Sequence, residues 1–231
     1  TDHVTVKSTL TNMPKLRSGL SKELDTAVNW QALTKSALTE ANQSINETGK
    51  QLTLEEQPSS RGAAFIRAKK TLSEIMPKPL YDWLSDDKIK GVIQHESRGH
   101  MSSDIERYSY VSLYGQIHDK SPRINELPIN LLPNHKNINS GNHVDRFRVQ
   151  LANHPSKTIT SHIAKDSHQF IHYDPSQARG LTVREAARLQ TFPENYFFEG
   201  TRTQQYVQVG NAVPPYLAIQ IGNIIGKILR G

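Results

Sequence analysis

The chain has 231 residues, enough to bury a real core in one or two domains. Its apolar fraction of 35% and mean hydropathy of −0.59 are low for a compact protein and predict long polar loops. With 28 Lys and Arg against 22 Asp and Glu, the net charge is +6. This excess favours a polyanionic partner, although a merely soluble surface would have the same balance.

The sequence contains no cysteine, so disulfides, thiolate metal sites and a thiol nucleophile are excluded. No apolar run approaches the roughly 20 residues of a membrane span, and no signal-peptide pattern opens the chain. We therefore expect a soluble, intracellular protein with no membrane partner. The chain begins at Thr1 rather than at Met, which indicates a fragment or a trimmed chain.

Two helices are predicted in the segment 1–45. A short one begins at Thr5 and is broken at Pro14, and a loop follows at 17–21. From Asp25, a reasonable N-cap, apolar residues recur at helical spacing over about five turns. The predicted buried face of this second helix consists of Val28, Leu33, Ala37, Leu38, Ala41 and Ile45.

The middle of the chain alternates polar loops with short elements. Residues 46–62 read as a surface loop, and 63–76 as a helical turn or two. The basic residues there form either a solvated face or a DNA contact: Arg61, Arg67, Lys69 and Lys70. A further helix, capped by Ser103 or Asp104, would bury Ile105, Tyr108, Val111 and Tyr114.

Just before that helix lies His95-Glu96-Ser97-Arg98-Gly99-His100-Met101. Two histidines five residues apart beside a glutamate are compatible with a metal site. Further ligands have no obvious source in the sequence, so a structural or DNA-facing role fits better. We therefore expect no metal.

Residues 121–144 are rich in Pro and Asn and predict long irregular loops. Alternation at 146–151 predicts a strand, with Phe147, Val149 and Leu151 inward and Arg146, Arg148 and Gln150 outward. Further strands are predicted at 157–163 and 169–173. Together they would form a small twisted antiparallel sheet with long loops.

The stretch from Arg179 to Pro193 carries the strongest local signal. Thr182 followed by Glu185 is a capping-box pattern and predicts a helix from Val183, which Phe192-Pro193 ends. Further on, Gln204 to Pro215 leads into a last helix. Its apolar stripe would need a partner surface: Leu217, Ile221, Ile224, Ile225 and Ile228.

These two stretches closely resemble the final two conserved motifs of the DNA (cytosine-5) methyltransferases. They match as Leu-Thr-x-Arg-Glu-Ala-Ala-Arg-Leu-Gln-x-Phe-Pro and Gln-Tyr-x-Gln-Val-Gly-Asn-Ala-Val-Pro-Pro, in the family order and spacing. The resemblance implies a two-lobed enzyme, with a large Rossmann-like lobe that holds S-adenosylmethionine and a Pro-Cys nucleophile. The small lobe reads double-stranded DNA.

The motifs of the large lobe have no match here, so the chain resembles the C-terminal part of such an enzyme and should be inactive alone. The implied class is α+β: a helical segment at 1–45, a target recognition region at 46–178, a supporting helix motif at 179–203, and a C-terminal turn and helix at 204–231. The last part would complete the Rossmann-like lobe. A cytoplasmic, nucleoid-associated prokaryotic protein is expected.

By the same resemblance, Asn211, Ala212 and Val213 would close the cofactor pocket, and Arg179, Arg184 and Arg188 would brace the recognition region or, as a second choice, contact phosphate. Base-reading residues do not transfer between family members. The residues chosen as DNA contacts are Arg98, Arg146, Arg148, Lys157, Thr158 and Thr160.

Three hypotheses remain open at this level. The chain is a part or subunit of a cytosine-5 methyltransferase, a stand-alone DNA-binding module without chemistry, or a His-based metal nuclease. If the large lobe is absent, the last helix could also pair with a second copy of the chain.

Overall fold

The computed structural model describes residues 3–45, 56–133 and 146–230. Residues 46–55 of the loop predicted at 46–62 and residues 134–144 of the loop predicted at 121–144 lie outside these ranges. The fold is α+β, as predicted. Its helices are α1 (Val6–Leu10), α2 (Ala27–Ile45), α3 (Lys78–Leu84), α4 (Ser102–His118), α5 (Val183–Leu189), α6 (Arg202–Asn211) and α7 (Pro215–Arg230). The strands are β1 (Gly19–Leu20), β2 (Gly62–Arg67), β3 (Gly91–Glu96) and β4 (Gly99–His100).

The strands form two small sheets. β2 pairs with β3 antiparallel, with Gly62 opposite Glu96, and β1 pairs with β4 parallel. The helical turn predicted within 63–76 is therefore wrong. Gly62 has φ +85, and a Cβ on it would lie 2.0 Å from the His95 carbonyl oxygen. Pairing with β3 at this close approach overrides the weak local preference for helix.

The sheet predicted across 146–173 is also wrong. Val149 and Ile171 form a single parallel bridge, and Ile171 forms an antiparallel bridge with Gly180. The Lys157 N–H donates to the Gln150 side chain at 3.0 Å instead of to a neighbouring strand. Gln150 is accordingly buried, although alternation predicted it outward. Residues 157–160 are irregular, and a 3-10 helix occupies Ser161–Ala164.

The helix predictions are largely confirmed. α1 starts with a capping box on Thr5, but it ends at Leu10, before Pro14. In α2 the residues Ala37, Leu38, Ala41 and Ile45 are buried as predicted, whereas Val28 is 73% exposed. Asp25 does not cap α2, because its carboxylate binds Arg17 and Arg61. The Thr26 hydroxyl accepts the Asn29 N–H instead.

Two apolar clusters hold most of the helices in place. In the first, α2 packs on α4, whose predicted buried residues Ile105, Tyr108, Val111 and Tyr114 are all buried. The second cluster surrounds α5 and joins α1, β3 and α6 to it; its members include Val6, Val92, Ile163, Val183, Ala186 and Tyr206. α5 is therefore the element at which the N-terminal and C-terminal segments meet.

The start of α5 has the predicted capping box. The Thr182 side chain accepts the Glu185 N–H, and Glu185 accepts the Thr182 N–H at 2.7 Å. The same carboxylate binds the Arg179 guanidinium through two contacts of 2.7 Å each. One glutamate therefore caps the helix and neutralises a fully buried arginine.

Arg179, Arg184 and Arg188, which we call the arginine hub, are at most 1% exposed. Arg179 also donates to the Leu16 carbonyl at 3.1 Å. Arg188 binds both carboxylate oxygens of Glu194 and the carbonyls of Thr9 and Thr71. Arg184 donates to the carbonyls of Ile93, Pro193 and Tyr196. Burial removes these side chains from any phosphate contact, and bracing of the recognition region stays a prediction.

Glu185→Gln should lower the free energy of unfolding by about 3–5 kcal/mol, because it leaves the Arg179 charge buried without its counter-ion. Urea denaturation measures this change. The matched control is Glu199→Gln on the surface, which should change the free energy by less than about 0.5 kcal/mol. Equal effects of the two substitutions would contradict the proposed importance of the hub.

Stability should also fall as the pH drops from about 6.5 towards 4. Burial lowers the pKa of His95 and of His172 to about 4. In the unfolded chain both titrate near 6.5, so between these values the unfolded state binds more protons and acid favours unfolding. Urea midpoints at pH 7, 6, 5 and 4.5 should decrease steadily, and less steeply in His172→Gln. A constant midpoint would contradict this prediction.

Candidate nucleic-acid interface and C-terminal surface

A cleft of about 480 Å³ lies between the loop after α4 and the segment that follows Phe147. Its basic side chains are Lys120, Arg148, His154 and Lys157. Two serines and two prolines complete much of the wall: Ser121, Ser156, Pro122 and Pro155. We call this feature the basic cleft. Cationic side chains beside hydroxyls in an open groove suit a phosphate-bearing ligand.

Electrostatic contacts hold two walls of the basic cleft in place. Lys120 donates to Glu126 at 3.0 Å, and His154 lies 2.7 Å from Asp119. Asp119 ends α4 in a left-handed conformation with φ +55, which turns the chain directly into the cleft wall. Lys157 is exposed. Its position makes it the cation best placed to meet a ligand.

The structure brings some of the predicted DNA residues together and separates others. Arg148 and Lys157 line the basic cleft, and Thr158 and Thr160 are exposed on the segment that leaves it. Arg146 is half-buried beside Phe147, with its guanidinium carbon 5.9 Å from the ring centroid. All five stay predictions as DNA contacts.

Arg98 does not belong to this group. Its guanidinium donates to the carbonyls of Ala164 and Lys165 and lies 4.7 Å above the Tyr206 ring. These contacts join the β3–β4 turn to the 3-10 helix and to α6. The side chain is therefore occupied within the protein, and a DNA contact by Arg98 stays a prediction that the geometry does not favour.

The histidines of the 95–100 loop are buried, which agrees with the structural alternative and not with the DNA-facing one. His95 is fully buried, with Nε2 2.8 Å from the Pro14 carbonyl and Nδ1 2.9 Å from the Thr182 hydroxyl. Burial lowers the pKa of His95 to about 4, so the ring is neutral at pH 7. Nε2–H then donates to the Pro14 carbonyl, and Nδ1 accepts from the Thr182 hydroxyl. His100 is buried against Tyr108. Neither nitrogen of His95 is available to a metal.

Within the described ranges, no group of three or more His, Cys, Asp or Glu side chains is arranged to hold a metal ion. Two cleft residues, Lys120 and His154, were missed by the sequence interpretation. Lys120-Ser121-Pro122 directly after a predicted helix was the available signal. For His154 no local pattern exists, because the Asp119 contact joins residues far apart in the chain.

The predicted cofactor residues lie where α6 ends and the chain turns into α7. Asn211 is exposed, Val213 is 61% exposed, and Ala212 packs against the second cluster. A Cβ on Gly210 would lie 2.2 Å from the Ser161 nitrogen. Glycine at this position therefore allows α6 to press against the 3-10 helix and fixes the turn.

α7 carries the predicted apolar stripe, and none of its side chains is buried. The exposed apolar residues are Leu217, Ile219, Ile221, Ile224, Ile225, Ile228 and Leu229. A patch of this size on a soluble protein marks an interaction surface. The sequence predicted that this stripe needs a partner surface, and the described residues do not cover it.

By length and composition alone, the segment Arg202–Arg230 would qualify as a membrane-spanning helix, and its most apolar window of 18 residues is 0% buried. However, the helix is interrupted between Asn211 and Pro215. The 16 residues of α7 rise about 24 Å, less than the roughly 30 Å of a bilayer core. A docking helix explains the segment better than a span.

A sequence model of the family described as C-5 cytosine-specific DNA methylase matches residues 16–227. The match covers most of the chain, including the hub, the basic cleft and α7. The chain belongs to the C-5 cytosine-specific DNA methylase family. The family match confirms the resemblance to this family, from which the cofactor residues Asn211, Ala212 and Val213 were taken, but it tests none of the individual site residues.

Several curated proteins of this kind are similar to the chain. The type II methyltransferase M.Bpa9945I of Bacillus paralicheniformis is 40% identical over 151 residues, which are 65% of this chain and 33% of that protein. M1.HphI of Haemophilus parahaemolyticus is 35% identical, over 59% of this chain and 32% of that protein. The DNA (cytosine-5-)-methyltransferase M.ApeKI of Aeropyrum pernix is 40% identical, over 32% and 16% respectively. The chain thus spans about a third of the first two relatives.

Proposed function

We propose that this chain is the DNA-recognition and cofactor-pocket-closing part of an enzyme that methylates cytosine C5 in duplex DNA, with S-adenosylmethionine as the donor. The proposal rests on one observation. Within a chain that belongs to this methylase family, a buried arginine hub is combined with a helix, α7, whose apolar side is exposed. The four parts would then be a helical segment at 1–45, a recognition region at 46–178, a supporting helix motif at 179–203, which carries the hub, and the closing turn and helix at 204–231.

Methylation at C5 needs a nucleophile that adds to the pyrimidine C6 and a base rotated out of the duplex. The described side chains offer no thiol, since the sequence has no cysteine. The chain alone is therefore inactive, and a catalytic region with a cysteine must supply the nucleophile. α7 is the surface that would receive that region, and a second copy of the chain is the alternative occupant.

The C-terminal turn fits one wall of an adenosyl pocket. Asn211 presents an exposed amide, and Val213 presents an exposed apolar side chain on the same turn, which Gly210 fixes against the body. Bound S-adenosylmethionine would supply the activated methyl group. Asn211, Ala212 and Val213 would hold and enclose this cofactor from one side, and the proposal requires no metal.

The basic cleft and the exposed segment 157–160 are the proposed contact with DNA. Lys157 and Arg148 would hold backbone phosphates, and the hydroxyls of Thr158 and Thr160 would add neutral hydrogen bonds. The net charge of +6 acts in the same direction. As a type II enzyme, the protein would work in the prokaryotic cytoplasm beside the DNA and a restriction partner.

A stand-alone DNA-binding module without chemistry is the second candidate function. The observation that favours it is that the cluster around α5 and the cluster between α2 and α4 are both built from residues of this chain, without a large lobe. The exposed α7 argues against it, because a module that acts alone would leave this helix in water.

Lys157→Ala should weaken binding to duplex DNA of any sequence and lower the salt slope of log affinity by about 0.9, because one phosphate contact is lost. Fluorescence anisotropy at several salt concentrations measures both quantities. The matched control is Lys35→Ala on the exposed side of α2. The basic cleft would be excluded if the control variant lost as much affinity as Lys157→Ala.

The proposed function is tested by methyl transfer from labelled S-adenosylmethionine to mixed-sequence duplex DNA. The chain is assayed alone and with the part of M.Bpa9945I that lies outside its alignment with this chain. Product should form only in the mixture, and Ile224→Asp in α7 should abolish it without weakening DNA binding. Methyl transfer by the chain alone would contradict the prediction that a chain without cysteine is inactive. If the chain binds DNA but neither assay yields methylated product, the stand-alone module is supported.

A further inference from the structure

Thr191 closes α5 in a conformation that its residue type disfavours. Its φ is +62, in the left-handed region that a side chain branched at Cβ rarely adopts. The Thr191 N–H donates to the Arg188 carbonyl and the Phe192 N–H to the Ala187 carbonyl, both at 2.9 Å, which is the pattern of a helix C-terminus. Glycine is the usual residue at such a position. A threonine there must be explained by its side chain or its contacts.

Thr191 joins two segments that are distant in sequence. Its carbonyl accepts the Trp83 Nε1–H at 2.8 Å, and its hydroxyl accepts the Tyr216 N–H at 3.1 Å. The Trp83 and Tyr216 rings also meet, with centroids 5.8 Å apart. The end of α5, the α3 helix and the first turn of α7 are therefore tied together at one residue.

The Tyr216 contact supplies a hydrogen-bond acceptor that the start of α7 lacks. The first N–H groups of a helix have no partner within that helix, and a side chain of the preceding residue often accepts one of them. Here the residue before α7 is Pro214 and the first residue of α7 is Pro215, and neither side chain has an acceptor. The hydroxyl of Thr191, just after α5, accepts the Tyr216 N–H instead. A glycine at 191 would relieve the backbone but would lose this acceptor.

We propose that Thr191 is a positioning residue that, with Trp83 and Tyr216, fixes the angle at which α7 leaves the body of the protein. We call these three residues the α7 latch. The strain at Thr191 is then retained because it puts a hydroxyl at the start of α7. The identity of the partner that α7 meets rests on the proposed function, but the latch itself is a property of this chain.

The latch is tested by pulsed dipolar EPR on the whole chain. Because the sequence has no cysteine, two labels can be introduced cleanly by Ala32→Cys on α2 and Gln220→Cys on α7, both exposed positions. The labelled chain should give one narrow distance distribution. Thr191→Gly should at least double its width, while the urea midpoint stays equal or rises, because the left-handed strain is removed.

Two further variants separate the hydroxyl from the rest of the latch. Thr191→Ser keeps the hydroxyl and should preserve the narrow distribution. Trp83→Phe keeps a ring against Tyr216 but loses the bond to the Thr191 carbonyl, and it should broaden the distribution less than Thr191→Gly. The proposal would be overturned if Thr191→Gly left the distribution narrow, or if it broadened the distribution only together with a lowered urea midpoint.

The methyl-transfer mixture then distinguishes failure of the latch from failure of the proposed function. With Thr191→Gly, the concentration of supplied catalytic region at half-maximal activity should rise at least fivefold, with the maximal rate unchanged. If the unsubstituted mixture is inactive, the proposed function fails and the EPR result decides the latch alone. If that mixture is active and Thr191→Gly needs no more of the supplied region, the latch fails.

Discussion

The ion pair between Arg179 and Glu185 is the constraint on which the rest of the structure depends. Both side chains are buried, so each charge is tolerable only in the presence of the other. Because Glu185 also caps α5, the pair sets where the helix starts, and with it the directions of Arg184 and Arg188. Through carbonyls of the N-terminal segment, β3 and the Thr71 loop, these arginines connect regions that are far apart in the sequence. The buried charges of the hub therefore leave the segments around α5 few alternative arrangements.

The protein therefore has a well-packed body around the hub and an exposed surface formed by the basic cleft and α7. The basic cleft is carried by loops, but α4 and the Phe147 segment that flank it belong to an apolar cluster. α7 is the opposite case, since it has a strongly apolar side and no buried residue. The body completes its own core, and under the proposed function α7 would receive a catalytic region. The Thr191 contacts lie at the boundary between the two.

Local sequence signals predicted well what local chemistry determines. The Thr182–Glu185 capping box, the start of α7 at Pro215 and the buried face of α4 are each specified by residues three or four positions apart. Predictions failed where distant contacts decide. The strand expected at 146–151 was reduced to a bridge because Gln150 turns inward to Lys157. In β2, pairing with β3 replaced the predicted helical turn. His154 became a cleft residue only through its contact with Asp119, which no spacing rule encodes.

The central claim is that a rigid hub holds an exposed helix ready for a missing catalytic region. Hydrogen–deuterium exchange of the chain alone tests it most directly. Amides of α5 and of the residues bonded to the arginine hub should exchange slowest. Amides in the C-terminal half of α7 should exchange at least a hundredfold faster, and they should become protected when the catalytic region of a relative is added. Slow exchange throughout α7 in the dilute chain alone would contradict the account, because the helix would then already have its partner.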